Sequence, residues 1–120
     1  MRSIFLYFLF STSLVFGQVT DNFTDGDFTA RPAWSGDAVE FTVNTSKQLQ
    51  LNNTIAGSSY LSTASPTTSL NNVEWRFWIK QSFSPSSLNY GRVYLASDQT
   101  NLEGSLNGYY LQFVELGIDK

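Results

Sequence analysis

Val73-Glu74-Trp75-Arg76-Phe77-Trp78-Ile79-Lys80 decides the fold class, because its apolar and polar residues alternate with a period of two. In an extended backbone, successive side chains project to opposite sides. Val73, Trp75, Phe77 and Ile79 therefore share one face. Glu74, Arg76 and Lys80 share the other with Trp78, the one residue that breaks its polar character. A helix would scatter these residues around its axis, so the segment is predicted as a half-buried strand.

Toward the N-terminus, Val39, Phe41 and Val43 alternate with Ala38, Glu40 and Thr42. Asn44-Thr45-Ser46-Lys47 then turns the chain into Leu49 and Leu51, which alternate with Gln48, Gln50 and Asn52. This spacing predicts a hairpin. Residues 59–63 predict a further short strand, followed by the loop Ser65-Pro66-Thr67-Thr68-Ser69. Toward the C-terminus, Ser84-Pro85-Ser86-Ser87 reads as another loop. Residues 92–97 and 109–114 read as two more strands, the second preceded by the turn-forming Asn107-Gly108. Roughly seven short strands, with little helical periodicity after residue 17, predict an all-β domain built as an antiparallel two-sheet sandwich.

The first 17 residues, MRSIFLYFLFSTSLVFG, are of a different kind. Arg2 supplies a short positive region, and residues 4–10 form an apolar run too short to span a bilayer. Val15 and Gly17 then occupy the small-residue positions that precede cleavage, which predicts a signal peptide over residues 1–17 and a mature chain from Gln18. Residues 18–120 are read as one β-sandwich domain, secreted or held at the cell surface, with no mature transmembrane segment.

Composition narrows the chemistry. The chain has no cysteine and no histidine, which removes thiol nucleophiles, imidazole bases, Ser-His-Asp triads and the usual zinc ligand sets. Its formal net charge is −3, before Arg2 is lost with the signal, and the charges form no runs. Such a surface does not attract a phosphate backbone, so nucleic acid is not an expected partner. Glycosidases need two carboxylates held across the scissile bond. Glu40, Glu74, Glu103 and Glu115 instead fall on different predicted elements with no acidic neighbour two residues away. Binding, and not catalysis, is the expectation.

Two constellations could bind. Asp21-Asn22-Phe23-Thr24-Asp25-Gly26-Asp27-Phe28 gathers hard oxygen donors around a glycine, which makes Asp25 and Asp27 candidate calcium ligands. The spacing lacks the later glutamate of an EF-hand loop, however, and Asp-Gly-Asp is equally a turn composition. The second constellation is aromatic and planar-polar. Trp78 shares its face with Arg76, a neighbouring strand can add Arg92 and Tyr94, and Tyr110 and Gln112 can join them. Sugar rings stack their apolar faces on aromatics while their hydroxyls take directed hydrogen bonds from guanidinium and amide groups. A glycan or cell-surface partner is therefore the candidate ligand. Packing of Trp78 and Tyr110 beneath a loop or second layer is the competing use of such large side chains. Sequons begin at Asn22, Asn44 and Asn52, in a chain already rich in Asn, Ser and Thr.

Several short motifs recur in a familiar order: Asp21-Asn22-Phe23, Asp25-Gly26-Asp27-Phe28, Trp34-Ser35-Gly36-Asp37, Leu49-Gln50-Leu51-Asn52, Glu74-Trp75-Arg76-Phe77-Trp78, Phe83-Ser84-Pro85-Ser86, Asn89-Tyr90, Arg92-Val93-Tyr94-Leu95 and Asn107-Gly108-Tyr109-Tyr110. Together they resemble the N-terminal region of large secreted Bacteroidota proteins, in which a concanavalin A-like or laminin G-like jelly roll precedes lamin-tail domains. The resemblance spans roughly residues 19–113. It implies a two-sheet antiparallel jelly roll, an extracellular location and a role in adhesion or carbohydrate binding, and it implies no catalytic residues. The family pattern continues into further strands after Phe113, whereas here Val114 leads to Lys120 and the sequence stops. The expectation is an incomplete jelly roll, a fragment of a larger secreted protein. Such a fragment is expected to act as a binding module. The alternatives are a structural spacer or interaction module with no ligand of its own and, least favoured, a piece of a glycoside hydrolase.

Overall fold

The computed structural model describes residues 18–114. The expected signal peptide over residues 1–17, and residues 115–120, lie outside the described residues. Six strands pair two by two, and every pair is antiparallel. β1 (Trp34–Gly36) pairs with β4 (Leu61–Thr63), β2 (Phe41–Val43) with β3 (Leu49–Leu51), and β5 (Gly91–Ser97) with β6 (Gly108–Phe113). A single 3-10 turn, Ala38–Glu40, is the only helical element among the described residues. The described residues are all-β, as the alternation predicts.

The β2–β3 hairpin forms where it is expected, and its turn is closed largely by one side chain. Asn44 Oδ1 accepts from the amides of Ser46 at 2.9 Å and Gln48 at 3.1 Å, while Lys47 takes the left-handed conformation with φ 59°. A short amide side chain competing for nearby backbone donors is what makes asparagine a turn former. The first strand of the hairpin is shorter than its alternation suggests. The Glu40 amide donates to the Asp37 carbonyl at 2.8 Å, which winds residues 38–40 into the 3-10 turn and leaves Val39 97% exposed. Extended structure starts only at Phe41.

β1 carries no alternation long enough to signal a strand, and its position comes from non-local bonds. The Trp34 indole donates to Asp21 Oδ2 at 2.9 Å. Asp37 and Tyr60 bond each other twice, the Tyr60 amide to Asp37 Oδ2 at 2.9 Å and the Asp37 amide to the Tyr60 carbonyl at 3.0 Å. Between these anchors Gly36 sits at φ 133°, and a β-carbon there would lie 2.5 Å from the Tyr60 carbonyl oxygen.

The segment 73–80 departs from the expectation of a paired strand: it is not helical, and among the described residues it is hydrogen-bonded to no strand. Its alternation nevertheless survives in its contacts. Phe77 meets Phe113 edge-on, with ring centroids 6.5 Å apart. A β-carbon on Gly91 would meet the Gln81 amide nitrogen at 3.2 Å and Ile79 Cδ1 at 3.9 Å. Phe77, Ile79 and Gln81 thus lean on the β5–β6 ladder. On the even-numbered side Glu74 and Arg76 pair with each other, and Trp78 is 68% exposed. Period-two sequence dictates which way side chains point, but a strand also needs a partner edge within about 5 Å, and none of the described strands pairs with this segment.

No side chain among the described residues is fully buried, so the three strand pairs share no closed core. They should therefore respond to substitution locally. Gly36→Ala, which forces a β-carbon against the Tyr60 carbonyl, is expected to cost about 1–3 kcal/mol at that pair. Amide hydrogen exchange should quicken at residues 34–36 and 61–63 while protection in the β5–β6 ladder stays unchanged.

Candidate functional site

The longest ladder builds the site. In β5 and β6, Arg92 stands directly opposite Gln112, and Tyr94 opposite Tyr110. Residues two apart on one strand share a face, so these four side chains are gathered on one side of the ladder. Arg92 Nε donates to Gln112 Oε1 at 2.7 Å, and its Nη2 donates to the Tyr90 hydroxyl at 3.2 Å. The guanidinium carbon lies 4.7 Å from the centre of the Tyr110 ring and 4.9 Å from that of Tyr90. Tyr94 and Tyr110 pack with centroids 5.2 Å apart and planes tilted by 46°. A register irregularity between Tyr94 and Ala96 then places Ala96 opposite Tyr109. That bulge ends the face at the tyrosine pair, because the extra residue shifts the alternation of everything beyond it.

The result is a cation clasped between two tyrosine rings on an exposed surface. Arg92 takes no part in any ion pair among the described residues, where the only pair is Arg76 with Glu74. Its planar fork carries five N–H donors. Gln112 and Tyr90 engage only part of that set, and Arg92 itself is exposed. Chemically, such a surface can stack an apolar ring face and donate directed hydrogen bonds to hydroxyl or carboxylate oxygens.

Of the six residues expected to form a platform, the structure joins Arg92, Tyr94, Tyr110 and Gln112. Arg76 and Trp78 stand apart. Among the described residues no hydrogen bond, ring contact or cation–π contact links either to Arg92 or the tyrosines. The reason is parity. Phe113 projects from the ladder face opposite Gln112, and it is Phe113 that Phe77 touches. Arg76 and Trp78, pointing away from Phe77's side, point away from the ladder as well. Tyr90 is the member that strand reading missed. It lies two residues before Arg92, and extending the alternation one step past the strand end would have found it.

The Asp25 and Asp27 carboxylates are engaged in turns. Asp25 Oδ1 accepts from the Asp27 amide at 3.1 Å, and Asp27 Oδ1 accepts from the Thr29 amide at 2.8 Å and the Thr29 hydroxyl at 2.7 Å. Gly26 supports the same turn at φ 84°, its amide donating to the Phe23 carbonyl at 3.0 Å. Among the described residues, no three acidic side chains gather in a way that could hold a metal ion, and no helix is long and apolar enough to cross a membrane.

The bonds from Thr29 hold the Asp27 carboxyl below the ordinary aspartate range, and bonds from Asn107 do the same for Asp98 in the β5–β6 loop. A depressed folded-state pKa stabilises above the unfolded value and ceases to do so as pH falls through the folded one. The Thr29 amide chemical shift should therefore titrate with a midpoint below the ordinary aspartate value. In Asp27→Ala that titration should vanish.

Comparison with known proteins finds no matching family model, no matching curated protein and no matching solved structure.

Proposed function

We propose that this chain is an exported, non-catalytic module of a jelly-roll-type β-sandwich that binds carbohydrate through one face of the β5–β6 ladder. The observation that carries the reading is the Arg92 clasp, in which a guanidinium held by Gln112 and Tyr90 lies over the rings of Tyr90 and Tyr110. Rings and donors side by side match the two faces of a sugar, one apolar and one hydroxyl-rich. The antiparallel pairing of every strand supports the sandwich class. The apolar N-terminal run supports export. Asp25 and Asp27 enter this reading as turn residues, and Arg76 and Trp78 lie outside its site.

A glycan array probed with the full chain tests it. The expected result is binding to a defined set of sugars, with Tyr110→Ala and Arg92→Ala each weakening the best-bound glycan at least roughly tenfold, about 1.4 kcal/mol. Trp78→Ala should leave that affinity unchanged. An empty array, or binding that survives loss of both Arg92 and Tyr110, overturns the reading.

A further inference from the structure

The segment 73–80 carries the alternation of a strand and has no strand partner among the described residues. No backbone hydrogen bond joins it to any other part of the described chain, and the exposed large apolar residues include Trp75, Phe77, Trp78 and Ile79. Free strand edges recruit other strands, and identical chains most often meet about a two-fold axis. We infer that this segment pairs antiparallel with the same segment of a second copy, with the two-fold axis passing beside Phe77.

The charge pattern selects that partner and that register. In an antiparallel pair, directly opposed residues lie on the same face. Apolar and polar faces therefore match only when the axis falls on a residue and not between two. Registers centred on Arg76 or on Phe77 keep all but one of the eight residues paired. Centring on Arg76 sets two guanidinium groups against each other and leaves Glu74 facing an indole. Centring on Phe77 places Glu74 opposite Lys80 of the other copy and Arg76 opposite its Trp78, and the symmetry makes each pairing occur twice. Opposed charges and a cation over an indole both attract. Trp78, the one aromatic residue on an otherwise polar face, thereby acquires a reason to be there. Glu74, Arg76, Trp78 and Lys80 are all exposed, and among the described residues the Glu74–Arg76 pair is the only ion pair they make. The proposal is independent of sugar binding, because Phe77 leans on the ladder face opposite the Arg92 clasp.

Sedimentation of the full chain over a concentration series provides the test, with charge-reversed variants to fix the register. The wild type should be a concentration-dependent dimer. Glu74→Lys sets like charges opposite each other twice, and Lys80→Glu does the same with the opposite sign, so each should weaken the dimer at least about tenfold. Mixing the two variants restores both attractive pairs, and the mixture should form heterodimers with near wild-type affinity. Recovery on mixing also shows that neither variant has simply lost its fold. A wild type that stays monomeric overturns the proposal. So does association that the single reversals leave untouched, which would be unspecific contact between apolar surfaces, and so does a mixture that fails to recover.

Discussion

The constraint on which the rest of the structure depends is the registered antiparallel ladder of β5 and β6. Because opposed residues share a face, fixing Arg92 against Gln112 also fixes Tyr94 against Tyr110 and sends Val93, Leu111 and Phe113 to the other side. A slip of one residue would exchange the two faces, turning the clasp inward and the apolar set outward. The bulge after Tyr94 limits how far this division extends. One face is thus polar and aromatic, and the other supplies the Phe113 ring against which residues 73–80 rest.

Local side-chain bonds, and not a core, define the remaining elements. Asn44 and Asp27 accept backbone amides within their own turns, Asp98 closes the β5–β6 loop by accepting the Asn107 amide, and Asp21 and Asp37 reach across to Trp34 and Tyr60. A typical bond of this kind contributes about 0.5–1.5 kcal/mol net, whereas ordering a residue's backbone costs roughly 1–2 kcal/mol. Hydrophobic burial normally supplies the difference, and two-stranded pairs alone are marginal in water. With no side chain fully buried among the described residues, apolar area remains that a further layer or a further chain can cover. The proposed pairing with a second copy would cover part of that area.

What the sequence made legible follows the same physics. Strands whose partners are near in the chain, or whose β-prone runs are flanked by turn-forming residues, are readable: the β2–β3 hairpin through Asn44, and β5 and β6 through the runs 92–97 and 109–113, although Gly108 falls inside β6 and not in a turn. β1 is not readable, because three residues carry no period, and its place is set by Asp21 and by Tyr60, which pairs with Asp37 from 23 residues along the chain. The strongest alternation of all, at residues 73–80, foretold side-chain direction correctly and pairing incorrectly, since pairing belongs to two segments at once. The same distinction divides the platform. Parity on β5 and β6 unites four of its residues, but sequence does not tell which ladder face the 73–80 segment approaches, and the structure places Arg76 and Trp78 apart from Arg92 and the tyrosines.

Under the proposed pairing, Arg76 and Trp78 gain a physical role apart from the Arg92 face. On an isolated edge, an indole between a guanidinium and an ammonium along a polar stripe only exposes apolar area to water. Opposite the arginine of an identical strand, the same indole becomes half of a reciprocal cation–π pair, and the neighbouring carboxylate and ammonium become the other half of the match. An edge paired in this way leaves the Arg92 face of each copy untouched, because that face lies across the ladder from Phe77's contact. Two clasps carried on one symmetric dimer would then meet a repeating ligand together, and the second contact would form at the high effective concentration set by the first. Weak single-site recognition, which is all that a shallow exposed face with one cation can supply, would suffice for adhesion under that arrangement.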